Sequence, residues 1–142
     1  MQKYITVIVT LSCLIFSGWT IPDKSSTSHV ADKYSAVKVV DFTGFIASYP
    51  ISMRLNIKEK TNGDVSYTGY YYYNRVGTKI NLTGSWLMRP GTPTYIELNE
   101  IVNGDYTGSF SLLPKTYGDY SKLTGTWSGN GKTLKVKLTK IN

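Results

Sequence analysis

From Val39 onward, hydrophobic and polar residues alternate with a period of two. That spacing sends successive side chains to opposite faces of a β-strand. It is cleanest at Ile51, Met53, Leu55 and Ile57, interleaved with Ser52, Arg54, Asn56 and Lys58. It recurs at Leu134, Val136 and Leu138, interleaved with Thr133, Lys135, Lys137 and Thr139. Turn-forming clusters punctuate the region at Thr61-Asn62-Gly63-Asp64, Asn74 to Gly77, Pro90-Gly91-Thr92-Pro93, Asn103-Gly104-Asp105, Tyr117-Gly118-Asp119 and Gly129-Asn130-Gly131. With a further break at Tyr49-Pro50, eight strands are predicted, over 38–48, 51–60, 65–74, 79–88, 94–102, 105–113, 120–128 and 132–141. No helical periodicity of useful length interrupts them. The fold class is therefore all-β: an eight-stranded antiparallel up-and-down meander, closed into a small soluble barrel because closure removes the exposed edges. Outward lysines at mid-strand argue against an outer-membrane barrel, where each would cost about 2–4 kcal/mol in lipid.

Superimposed on the alternation is a pentad of an apolar residue, Thr-Gly, any residue, and usually an aromatic. It appears at Phe42–Ile46, Tyr67–Tyr71, Leu82–Trp86, Tyr106–Phe110 and Leu123–Trp127, with glycines at 44, 69, 84, 108 and 125. The glycine spacings of 25, 15, 24 and 17 alternate, so the strand unit reads as duplicated at a longer period. Two and a half such copies are too few to close a propeller. Each Gly shares a face with large neighbours, as expected where a strand must coil and aromatics cover the gap.

The parity places Phe42, Tyr67, Tyr71, Tyr73, Trp86, Tyr106, Phe110 and Trp127 inside. An eight-stranded interior is either filled by side chains or holds one small ligand. A filled interior is expected here; the alternative is an aromatic-lined mouth formed by Glu100, Tyr73, Trp86 and Trp127. Glu100 shares the inward parity of Ile96 and Leu98 but lies beside the Asn103-Gly104 turn. An exposed strand-end carboxylate is the expectation, with an acceptor for tyrosine hydroxyls or a ligand as the alternative. Tyr70 and Tyr72 face away from Tyr71 and Tyr73, and Phe45, Leu87 and Tyr95 also have outward parity. Outward tyrosines either pair across strands or supply rigid contact area for a protein partner. Tyr70, Tyr72, Tyr95, Phe45 and Arg54 are the candidate partner-binding residues.

Met1 to Thr20 reads as an export signal: Lys3 is the positive start, Tyr4 to Phe16 the apolar stretch, and Ser17 and Gly18 the small residues for cleavage. Thr10-Leu11-Ser12-Cys13 faintly resembles a lipobox, but Thr10 stands where Leu is usual and the apolar run continues past Cys13. Residues 21–37, with the only histidine, His29, form a polar linker, leaving 38–142 as the barrel domain. The expected location is the periplasm or the exterior. Loss of the signal removes the single Cys, so the barrel is held without a disulfide.

The composition then narrows the chemistry. With 16 Lys+Arg against 9 Asp+Glu the formal charge is +7, but the basic residues are scattered, which disfavours nucleic acid as a partner. No Ser-His-Asp set, metal-ligand spacing or phosphate loop is present, and Gly129-Asn130-Gly131-Lys132 reads as a hairpin. No cofactor and no metal are expected. Glu97, Glu100, Asp105 and Asp119 are the carboxylates an enzymatic reading would need, though no spacing singles them out. Asn81-Leu82-Thr83 is a glycosylation sequon at mid-strand. The run from Gly69 to Tyr73, followed by Ile80, Leu82 and Gly84, resembles small exported bacterial β-barrel proteins of unassigned function. The eight-strand meander is similar to avidin-like barrels and periplasmic lysozyme inhibitors, at the level of architecture. The resulting expectation is a non-enzymatic envelope protein that binds another protein, as an inhibitor or immunity protein does. The alternative is a carrier of a small apolar or planar ligand in the mouth.

Overall fold

A computed structural model describes residues 37–87 and 94–141. The export signal expected at 1–20, Cys13, His29 and the rest of the linker before Val37, the turn at 90–93 and the side chain of Leu87 lie outside the described residues. Eight strands follow one another: β1 (Lys38–Ile46), β2 (Tyr49–Glu59), β3 (Val65–Tyr73), β4 (Ile80–Leu87), β5 (Tyr95–Val102), β6 (Asp105–Pro114), β7 (Lys122–Gly129) and β8 (Lys132–Lys140). Each pairs antiparallel with its successor, and β8 returns to β1 from Phe42↔Lys140 to Ile46↔Val136, closing the barrel. The up-and-down order fixes two ends. The turns β1–β2, β3–β4, β5–β6 and β7–β8 share one, called the upper end below, and the chain enters β1 and leaves β8 at the lower end.

Turn chemistry sets the register. Asn103-Gly104 and Asn130-Gly131 both take positive φ at each central residue, the twist-matched two-residue hairpin that Asn-Gly favours. The first turn differs from expectation. It falls at Ala47-Ser48, with Ala47 at φ +53°, while Tyr49-Pro50 already belongs to β2. Pro50 is tolerated there because it sits second in its strand, where a missing amide disturbs the ladder least.

The interior is packed through most of its height. Phe42, Tyr67, Tyr71 and Phe110 are fully buried among Ile46, Ile51, Leu55, Ile96, Leu98, Leu112 and Leu123. Tyr71 packs edge-on to Phe110 at 5.2 Å, the geometry ring quadrupoles prefer. Four of the pentad glycines, at 44, 69, 84 and 125, sit where the backbone of a neighbouring strand leaves no room for a side chain. A methyl group on Gly69 would meet the carbonyl oxygen of Arg54 on β2, and one on Gly125 that of Ser111 on β6. Both obstacles are backbone, so no side-chain rotation relieves them. Gly69→Ala is therefore expected to lower stability by about 2–3 kcal/mol, as overpacking does. A urea titration reads this, and an unchanged midpoint would show that the strands part freely.

Two aromatic positions depart from the expected parity. Tyr106 is 62 % exposed rather than inside. The β5–β6 register slips between Glu100 and Ile101: Ile101 pairs with Tyr106, but Glu100 pairs with Gly108. Thr107 is the extra residue of a β-bulge, and it turns every side chain before it to the other face. Tyr120, by contrast, is buried without having been expected. It precedes β7 instead of starting it, so strand parity does not govern it. It reaches inward to set its hydroxyl 3.1 Å from that of Tyr67.

Candidate functional site

The bulge at Thr107 creates the most unusual polar feature of the interior. Glu100, on β5, is 6 % exposed and is the one buried charged residue among those described. The Tyr71 hydroxyl from β3 donates to its Oε2 at 3.0 Å, and the Trp127 indole N–H from β7 to the same oxygen at 2.6 Å. Thr107 Oγ1 donates to Oε1 at 3.0 Å. A carboxylate that accepts three hydrogen bonds from neutral donors is satisfied without a cation. Its expected exposure was thus wrong, and the acceptor role for inward tyrosines is what the geometry contains. Tyr71 in turn contacts Tyr73, with ring centroids 5.6 Å apart. Burial, then the nearby Glu100 charge, push the Tyr71 hydroxyl well above its ordinary pKa, so it remains a donor.

Above this network the upper end opens into a cup of about 470 Å³. Trp127, Tyr73, Tyr49, Pro50, Val76 and Leu134 make a mainly apolar lining, which Arg75, Asn130 and Lys132 also join. Glu100 does not line the cup; it lies behind Trp127 and holds the indole from within. Gly129 makes room for that indole, since a methyl there would strike the ring. Five large hydrophobic side chains at the upper end are exposed: Phe45, Tyr49, Val76, Val102 and Tyr106.

Of the four residues expected at a mouth, Glu100, Tyr73 and Trp127 come together at the upper end. Trp86 does not join them. It lies near the end of descending β4, hence at the lower end, where it packs edge-on to Tyr117 at 4.9 Å. Its Nε1 has no hydrogen-bond acceptor among the described residues. The residues missed by the sequence reading are Tyr49, Arg75, Val76, Lys132 and Leu134. The hairpin order alone places all five at one end.

The expected partner-binding residues divide as well. Arg54 pairs in register with Tyr70, and Tyr72 with the adjacent Ser52, so these three share one outer wall. Arg54 is already engaged: its Nε and Nη2 donate to the two oxygens of Asp41 at 2.6 and 2.8 Å. Those bonds hold the Asp41 carboxyl below its ordinary pKa. Tyr70 is half-buried beneath Lys79, whose ammonium lies 4.3 Å from the ring centre. Phe45 stands at the upper edge of this wall, opposite Pro50 and 52 % exposed. Tyr95 belongs to another wall, on β5, and shares a shallow surface groove with Leu113, Lys135 and Lys137. Glu97 accepts from Ser111 Oγ at 2.7 Å across β5–β6, and Asp119 from the Ser121 amide at 2.8 Å. Glu97 does not face Glu100 as a catalytic pair would, since an odd number of steps along β5 puts them on opposite faces. Among the described residues no three His, Cys, Asp or Glu side chains converge as a metal site would require.

No protein-family model matches this chain, and no curated protein matches it in sequence.

Proposed function

We propose that this protein is an exported, non-enzymatic binding protein that carries a small apolar or planar ligand in the upper mouth of its barrel. One observation supports the reading above others: the open cup of about 470 Å³ walled by Trp127, Tyr73, Tyr49 and Leu134. Its size and its mainly apolar lining, with a few polar groups at the edge, suit a small-molecule site. The Glu100 network holds Trp127, and so the floor of the cup, in one orientation before any ligand arrives. The test uses the neutral compound 2-naphthylmethanol and the indole N–H resonances in two-dimensional NMR. Trp127 is expected to shift, while Trp86 at the other end stays still. No movement of Trp127 at millimolar probe would overturn the reading.

A second reading, an inhibitor or immunity protein that binds another protein, draws on the wall of Arg54, Tyr70, Tyr72 and nearby Phe45. Tyrosine and arginine on one face are the residue types that anchor protein partners. The polar groups of that wall are, however, largely satisfied within the chain by Asp41 and Lys79. An affinity pull-down from envelope extract, run with wild type and a Tyr70→Ala/Tyr72→Ala variant, tests it. A stoichiometric partner lost on substitution supports that function; recovery of none by either overturns it.

A further inference from the structure

We propose that the cup is selective for an amphipathic carboxylic acid, its apolar body seated against Trp127 and Tyr73 and its carboxylate held at the rim by Arg75 and Lys132. The proposal rests on the reading of the cup as a ligand site and specifies the chemistry of what enters it. The lining residues include two charged side chains, and both are cations. They come from different hairpins, Arg75 from the β3–β4 connection and Lys132 from the start of β8. Neither is committed elsewhere; other exposed lysines such as Lys135 and Lys137 share that, and what sets these two apart is their place on the cup. Arg54 is bound to Asp41, Lys79 lies on the Tyr70 ring and Lys38 on the Tyr120 ring. The side chains of Arg75 and Lys132 enter no ion pair, side-chain hydrogen bond or ring contact among the described residues.

Two unengaged cations beside an apolar concavity complement a ligand with one apolar part and one negative group. Guanidinium adds a planar fork that fits a carboxylate with two parallel hydrogen bonds. Glu100, behind Trp127, pairs with neither cation, because its oxygens are occupied by Tyr71, Thr107 and Trp127; its single charge opposes an anion in the cup, and the two rim cations outnumber it. The opposite assignment also has a physical basis, since the rings of Tyr49, Tyr73 and Trp127 are the groups that attract an organic cation. The rim charges oppose it. The same two cations that would hold a carboxylate would repel an ammonium group at close range.

Three probes with one apolar body separate these cases: 2-naphthoate, 2-naphthylmethanol and 2-naphthylmethylammonium, each titrated while the Trp127 indole N–H is followed. At 50 mM salt the acid is expected to bind about tenfold tighter than the alcohol, and the amine weakest. Raising salt to 500 mM should shrink the gap to about two- to threefold, because the rim is open to solvent. Arg75→Gln/Lys132→Gln should abolish the gap, the acid losing about tenfold more affinity than the alcohol. Equal binding of acid and alcohol, or tightest binding of the amine, overturns the carboxylate assignment while leaving the cup as a site. Absence of any Trp127 response to all three overturns both.

Discussion

Glu100→Ala is expected to lower the unfolding free energy by about 4 kcal/mol, and Tyr71→Phe by only about 1 kcal/mol. The asymmetry follows from which partner is left behind. Removing the carboxylate strands the Trp127 indole N–H and leaves the buried Tyr71 hydroxyl only the neighbouring Tyr73 hydroxyl, and each poorly satisfied donor costs about 1–3 kcal/mol. The truncated side chain leaves a void as well. Removing the Tyr71 hydroxyl instead leaves a carboxylate that still accepts from Trp127 and Thr107. The double variant should therefore be more stable than the sum of the two losses by about 1 kcal/mol, because the hydroxyl left poorly satisfied by the first change is deleted by the second. Urea titrations of the four proteins close this cycle. Additive losses would mean that Tyr71 and Glu100 do not depend on one another. Glu100→Gln should fall between the extremes, keeping an acceptor oxygen but turning amide hydrogens toward donors.

The same residues show where the sequence was legible and where reading it stopped short. Strand count, order and closure followed from period-two alternation and Asn-Gly turns, and the observed ends lie within a few residues of the expected ones. The first hairpin was misplaced because Ala47 adopts positive φ without a Gly or Asn to mark it. Tyr106 was assigned by the pentad alone, yet the chain held a contradiction that could have exposed the bulge. A two-residue turn at Asn103-Gly104 pairs Ile101 with Tyr106 and would pair Glu100 with Thr107. If Glu100 points inward, Thr107 does too, whereas the pentad already demands that Gly108 and Phe110 point inward. Two consecutive inward residues in one strand require an inserted one, and Thr107 is it. Trp86 was grouped with Trp127 because parity reports the face of a strand and not its height. The up-and-down order supplies the height and separates them. Tyr120 left no such signal, since a residue just outside a strand answers to the loop that carries it.

Those corrections change what tyrosine does in this chain, and they set the response to alkali. Tyr67 and Tyr71 are fully buried, and burial foremost, with Tyr120 and Glu100 as the next neighbours to act, pushes both hydroxyls far above the ordinary value of about 10. In the unfolded chain the same groups lose their protons near pH 10. Below about pH 9 both states keep them, and stability does not depend on these groups. Above pH 10 the unfolded state holds fewer protons than the native state, so stability must fall as pH rises. Each tyrosine contributes a slope of about 1.4 kcal/mol per pH unit, and the pair about 2.7. Between pH 10 and 12 the loss reaches about 5 kcal/mol, comparable with the whole stability of a small domain. The expected result is cooperative alkaline unfolding in which the absorbance of buried tyrosinate at 295 nm appears together with loss of the β-sheet circular dichroism signal. Tyr67→Phe should lower the slope by about 1.4 kcal/mol per pH unit, because one buried proton is no longer at issue, while Tyr73 and Tyr120, also raised by burial, keep their share. A wild-type slope near zero, or ionisation of every tyrosine near pH 10 with the barrel intact, would show that the two hydroxyls are open to solvent and that the interior is looser than its packing implies.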